Sequence, residues 1–123
     1  MEIKEVYEKF QTPQNLQEHM LRVGALADIL THNWIGENIN KTAIVQAGLI
    51  HDIAKPMTKS IDDTGRARFL GHTKQGAAIT ANILERLRFS NREIRLVESL
   101  VYHHLRPVQM ANEEFPTQRA IYR

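Results

Sequence analysis

Cysteine is absent from this chain of 123 residues. Disulfides, thiolate metal sites and thiol nucleophiles are therefore excluded. A reducing compartment suits such a chain, and the cytoplasm is the expected location. No apolar run approaches the roughly 20 residues that a membrane span needs. The opening residues MEIKEVYEKF mix charged and apolar side chains and lack the apolar stretch of a signal peptide. No membrane association is expected. Proline (4) and glycine (6) are too sparse to dominate any segment, so they act as punctuation. Charge of one sign is also scarce. The formal net charge is +2, too mild to mark a dedicated nucleic-acid binder. What remains is ordinary: 42% hydrophobic and 24% charged residues, in a length that fits one domain with its own core.

The hydrophobic spacing predicts helices throughout, and no segment alternates at period 2 long enough for a strand. A short helix is expected over 2–10. Thr12-Pro13 then reads as a helix start, with Thr as N-cap and Pro in the first turn. Leu16, His19, Met20, Val23, Leu26, Ala27 and Leu30 follow a 3.6-residue period, to an end near Trp34 and Gly36. Asn40 caps the next helix, which carries Ile44, Ala47, Ile50 and His51 and is expected to stop at Pro56. A polar loop is expected over 57–71. A helix opens near His72 and runs past Leu84. Ser90 with Glu93 forms a capping box for another, whose apolar line includes Val97, Val101 and His104. Pro107 is expected to end it, followed by a loop to Pro116. Thr117 reads as the cap of a final helix that the chain barely begins. One domain over 1–123, lacking its C-terminal helices, is the expectation.

Five of the six histidines stand at informative positions. His19 lies on the apolar stripe of its helix, where a core imidazole bonded to backbone is the plain alternative. His51-Asp52 closes the apolar run AIVQAGLI. Burying a carboxylate there is costly unless it is paired or bound to a cation. His72 opens a helix, and His103-His104 sits near a helix end, where an imidazolium also suits the dipole. His32 reads as surface. Imidazoles with a carboxylate are the usual ligands of first-row divalent metals. His19, His51 and Asp52 make one His/His/Asp set. A second ion could be served by Asp52 with His72 and His103 or His104.

The order His19, then HDIAK at 51–55, then His72, then His103-His104 resembles the HD superfamily of metal-dependent phosphohydrolases. FLGHTKQGA, ILERLRFSN, LVYHHLRP and PTQRAIYR, between 69 and 123, resemble the HD domain that follows the nucleotidyltransferase of bacterial tRNA CCA-adding enzymes. The resemblance implies an all-α fold: a compact bundle of about five to six helices. It implies a hydrolase acting on a nucleotide or other phosphate ester, a phosphomonoester or a cyclic phosphodiester, through metal-activated water. The cofactor would be one or two divalent ions (Fe, Mn, Ni, Co, Zn or Mg). Their ligands would come from His19, His51, Asp52, His72, His103 and His104. Asp52 and Lys55 would be the catalytic residues, and Lys55, Arg68 and Lys74 would hold substrate phosphate.

The chain departs from the pattern in two places. The family's second aspartate ligand, after the double histidine, has no counterpart, since the aspartates are Asp28, Asp52, Asp62 and Asp63. Thr73 stands where an acidic residue often follows the histidine. The alternative is thus an impaired HD domain serving as a metal-, nucleotide- or RNA-binding module. The four arginines of ERLRFSNREIR are set against two glutamates, Glu85 and Glu93, and read first as a solvated face. Trp34, Ile35 and Ile39 are expected either in the core or in a homodimer interface.

Overall fold

A computed structural model describes residues 2–111 and 117–121. Its order is α1 (Ile3–Lys9), α2 (Gln14–His32), α3 (Lys41–Ile50), α4 (Lys55–Thr58), β1 (Lys59–Ile61), β2 (Ala67–Phe69), α5 (His72–Arg86), α6 (Asn91–His103), α7 (Arg106–Ala111) and α8 (Gln118–Ile121). The architecture is all-α; the described residues form six helices of six residues or more and one two-stranded ribbon. Among the described residues, no helix is long and apolar enough to cross a membrane.

The helices start and stop for local reasons. Asn40 caps α3 by accepting from the Ala43 N–H at 3.0 Å. Ser90 and Glu93 close the expected capping box at the head of α6. At the head of α2, Pro13 itself is the N-cap, and Gln17 rather than Thr12 supplies the local bond, donating to the Thr12 carbonyl at 2.7 Å.

Two prolines begin helices that they were expected to end. Pro56 lies in the first turn of α4, and Pro107 in the first turn of α7. At such a position the missing N–H leaves no helical bond unmade. The helix bearing Ile50 therefore stops at the histidine–aspartate turn, before Pro56. Residues 106–111, expected as loop, are helical. The rest of that expected loop, 112–116, lies outside the described residues.

The segment 57–71 is likewise more ordered than a polar loop. Lys59, Ser60 and Ile61 pair antiparallel with Phe69, Arg68 and Ala67. Asp62 organises the turn, accepting from the Thr64 and Arg66 N–H groups and from Arg68. Three residues per strand are too few for a period-2 pattern to show.

Packing joins α2 to α3, α3 to α6, and α6 to α5. One cluster of buried side chains holds Ala43, Ala47, Ile50, Ala77, Leu84, Val97 and Val101. A second holds Val6, Tyr7, Met20, Ile53 and Ile83. Tyr7 is wholly buried and donates its hydroxyl to the Leu49 carbonyl at 2.6 Å, which ties α1 to the end of α3. α2 and α3 cross with backbones nearly touching: a Cβ on Gly48 would meet the Gly24 Cα at 3.1 Å. The outer stripe of α2 differs from expectation. Leu26 and Leu30 are exposed, as are Trp34 and Ile35, while Ile39 is partly buried.

Candidate metal centre

Asp52 is 2% exposed and lies in the turn after α3, between the buried side chains of Ile50 and Ile53. Four imidazoles from four parts of the fold turn towards it. The Nε2 atoms of His19 and His51 lie 3.5 and 3.3 Å from Asp52 Oδ2. Those of His72 and His104 lie 3.5 and 3.3 Å from Oδ1. The rings meet edge-on, with neighbouring centroids 5.0–5.3 Å apart along the series His19, His51, His104, His72. Lys55, one turn after the aspartate, places Nζ 2.9 Å from Oδ2 and lies over the Phe69 ring.

Three of these rings are fixed in the same way. The Nδ1 atoms of His51, His72 and His104 lie 2.8, 2.7 and 2.6 Å from the carbonyls of Gly48, Phe69 and Val101, each three residues earlier. A carbonyl only accepts, so each Nδ1 carries the proton and donates it. Nε2 is then a bare lone pair in the neutral ring, and it faces a carboxylate that also only accepts. Such an arrangement repels unless a proton or a metal cation lies between. Asp52 Oδ1, His72 Nε2 and His104 Nε2 are buried with no hydrogen-bond partner among the described residues.

Burial disfavours a proton on one imidazole, while the carboxylate stays ionised. Burial lowers the His72 pKa from its ordinary value, against the pull of the Phe69 carbonyl and of Asp52. Burial raises that of Asp52, but His104, His51 and Lys55 around its oxygens outweigh this and hold it well below the usual carboxylate range. The centre thus presents an ionised carboxylate and at least one imidazole held neutral, the forms that bind metals.

The spacing fits as well. Two ligands about 2.1 Å from one ion stand roughly 3.0–3.4 Å apart when they subtend about 90–110°. The donors form two groups, His19/His51/Asp52 and Asp52/His72/His104, with ligand atoms within 4.8 Å of one another. Asp52 belongs to both, one oxygen for each. Nitrogen and oxygen donors of this kind suit first-row divalent ions.

Other expected site residues lie elsewhere. His103 faces away from Asp52 because it is one residue, about 100° of helix, from His104. Its ring packs edge-on against Tyr102, centroids 4.8 Å apart. Arg68 is held by Asp62 at 3.1 Å in the ribbon. Lys74 is exposed on α5, and its neighbours are residues of α6. His32 is exposed. Gly48, Phe69 and Val101 contribute through carbonyls, and no side-chain pattern could have announced them.

The fold and the centre together define an all-α domain with a histidine–aspartate cluster that could hold a metal ion. The chain belongs to the HD domain family, whose model matches residues 16–122. It is similar to the A-adding tRNA nucleotidyltransferase of Deinococcus radiodurans, 37% identical over 78 residues, covering 63% of this chain and 18% of that protein. It is also similar to the CC-adding tRNA nucleotidyltransferase of Thermus thermophilus, 43% identical over 60 residues, covering 48% of this chain and 14% of that protein. The chain thus spans less than a fifth of the length of these relatives. No solved structure gives a significant match.

Proposed function

We propose that this domain is a metal-dependent phosphohydrolase acting on a nucleotide or other phosphate ester, a phosphomonoester or a cyclic phosphodiester. One observation carries the reading: the Nε2 atoms of four imidazoles surround both oxygens of one buried carboxylate, and three of those rings are locked with their lone pairs inward. HD family membership supports it.

His19, His51 and Asp52 would hold one divalent ion, and Asp52, His72 and His104 a second. Bound there, such ions would supply Lewis acidity, lowering the pKa of water and offsetting charge on phosphoryl oxygens. The chain's own groups have separate tasks. The carbonyls of Gly48, Phe69 and Val101 set the tautomers. His19, with 52% of its side chain exposed, forms the open edge by which substrate would approach. Lys55 supplies a cation that would leave Asp52 for a substrate phosphate oxygen when the carboxylate is taken up by metal.

The test is turnover of p-nitrophenyl phosphate, nucleoside monophosphates and 2′,3′-cyclic nucleotides with added manganese, cobalt, nickel, iron, zinc or magnesium. The expected result is metal-dependent release of phosphate or ring opening, lost on chelation. No turnover of any substrate with any ion would reject the hydrolase.

A second reading is a binding module without chemistry, and the Lys55–Asp52 contact favours it. An ammonium 2.9 Å from Oδ2 competes with a metal for the same lone pairs. The names of the relatives point to RNA or a nucleotide as the partner in that case. Metal or nucleotide binding without turnover is its signature.

A further inference from the structure

The outer faces of α5 and α6 carry a groove that the centre does not use. Two recesses meet there at Tyr102 and His103. One, of about 570 Å³, is bordered by Lys74, Ala78, Arg95, Glu98 and Ser99. The other, of about 380 Å³, is bordered by Thr73, Leu105 and Gln109. Both volumes lie in the range of small-molecule sites. Tyr102 is 48% exposed, and its ring stands at 75° to that of His103. About half of Tyr102 is thus open to a ligand. Lys74 and Arg95 flank the pair. Neither makes an ion pair among the described residues.

We propose that this α5–α6 groove binds single-stranded nucleic acid, with bases on Tyr102 and His103 and backbone phosphates at Lys74 and Arg95. The combination is the one single-strand sites employ: ring faces that accept any base, in a groove whose cations follow the backbone. Small side chains at Ala78 and Ser99 leave the floor open to a base. Lys74 and Arg95, two cations without an anionic partner among the described residues, suit a phosphate-bearing occupant better than an apolar peptide helix. Glu98 offsets part of the positive charge, so the rings carry more of the affinity than the cations do. The site stands apart from the phosphohydrolase reading, although the groove shares both helices with the centre: Thr73 follows His72, and His103 precedes His104.

Fluorescence anisotropy of a labelled 12-nucleotide RNA, with the full chain and in the presence of EDTA, tests this independently of metal and of turnover. The single strand should bind, and a duplex of the same length should bind more weakly. Tyr102→Ala should lower affinity by about tenfold, and Tyr102→Phe should retain it because the ring face is kept. Affinity should fall as salt rises. The double variant Lys74→Gln/Arg95→Gln should reduce the slope of log K against log salt by about 1.4, since each phosphate left without its cation lowers it by about 0.7. Circular dichroism confirms that each variant is folded. Absence of binding to the single strand would overturn the proposal. So would tighter binding of duplex, or unaltered binding in folded Tyr102→Ala, or preference for a phosphopeptide over RNA.

Discussion

His103 and His104 are neighbours in the chain and opposites in setting. His104 is partly buried, its Nδ1 donates to the Val101 carbonyl, and its Nε2 faces Asp52. His103 is exposed, and its described ring contact is with Tyr102. α5 and α6 thus carry His72 and His104 towards the buried carboxylate on one side and an open groove on the other. What separates them is backbone support. Every ring around Asp52 except the exposed His19 is pinned by a backbone carbonyl three residues earlier, and such bonds determine which nitrogen is free to bind.

The largest effect should follow from Asp52→Asn. It removes the charge shared by both donor groups and strands Lys55 beside a neutral amide. Metal affinity and any turnover should fall by more than the roughly 10–100-fold that losing an outer partner costs. Calorimetric metal titration and the phosphatase assay read this directly, and near-native affinity would break the contrast between the two sides.

Gly48→Ala comes next. Its Cβ would press on the Gly24 backbone, which has no rotamer to yield. A loss of about 1–3 kcal/mol in urea denaturation is expected from overpacking. The α2–α3 crossing also sets His19 against His51, so metal binding should weaken as well.

His104→Ala and His103→Ala sharpen the comparison. The first should weaken one of two metal-binding steps and spare the other, because His19/His51/Asp52 remains. The second should leave the metal isotherm unchanged and lower affinity for single-stranded RNA. Equal effects of both variants on metal would contradict the geometry.

The smallest effect belongs to Ser90→Ala at the head of α6. Loss of the cap should cost about 1 kcal/mol in thermal or urea unfolding, within a range of about 0.5–2. The metal centre, at the other end of α6, should bind as before.

Much of this was legible in the residues. Periodicity located the four long helices, and the capping residues Asn40 and Ser90 marked two starts. The candidates His19, His51-Asp52, His72 and the pair His103-His104 were also visible, because a buried histidine–aspartate pair demands a partner. The rest depended on three-dimensional facts. Whether His103 or His104 turns inward depends on the phase of α6 against α3, which adjacent identical residues cannot reveal. Pro56 and Pro107 read as stops because a proline suits either a helix end or a first turn, and only the preceding turn decides. The ribbon at 59–69 is too short for a pattern, and its register rests on Asp62. The apolar stripe of α2 predicted burial, yet Leu26 and Leu30 are exposed.

The most direct measurement is a crystal structure of the chain soaked with manganese or cobalt, with anomalous scattering locating the ions. Two peaks are predicted, one among His19, His51 and Asp52 and one among Asp52, His72 and His104, with Lys55 displaced from Oδ2. A well-ordered Asp52 still bonded to Lys55, with no anomalous peak near any of the four imidazoles at saturating metal, would contradict the account.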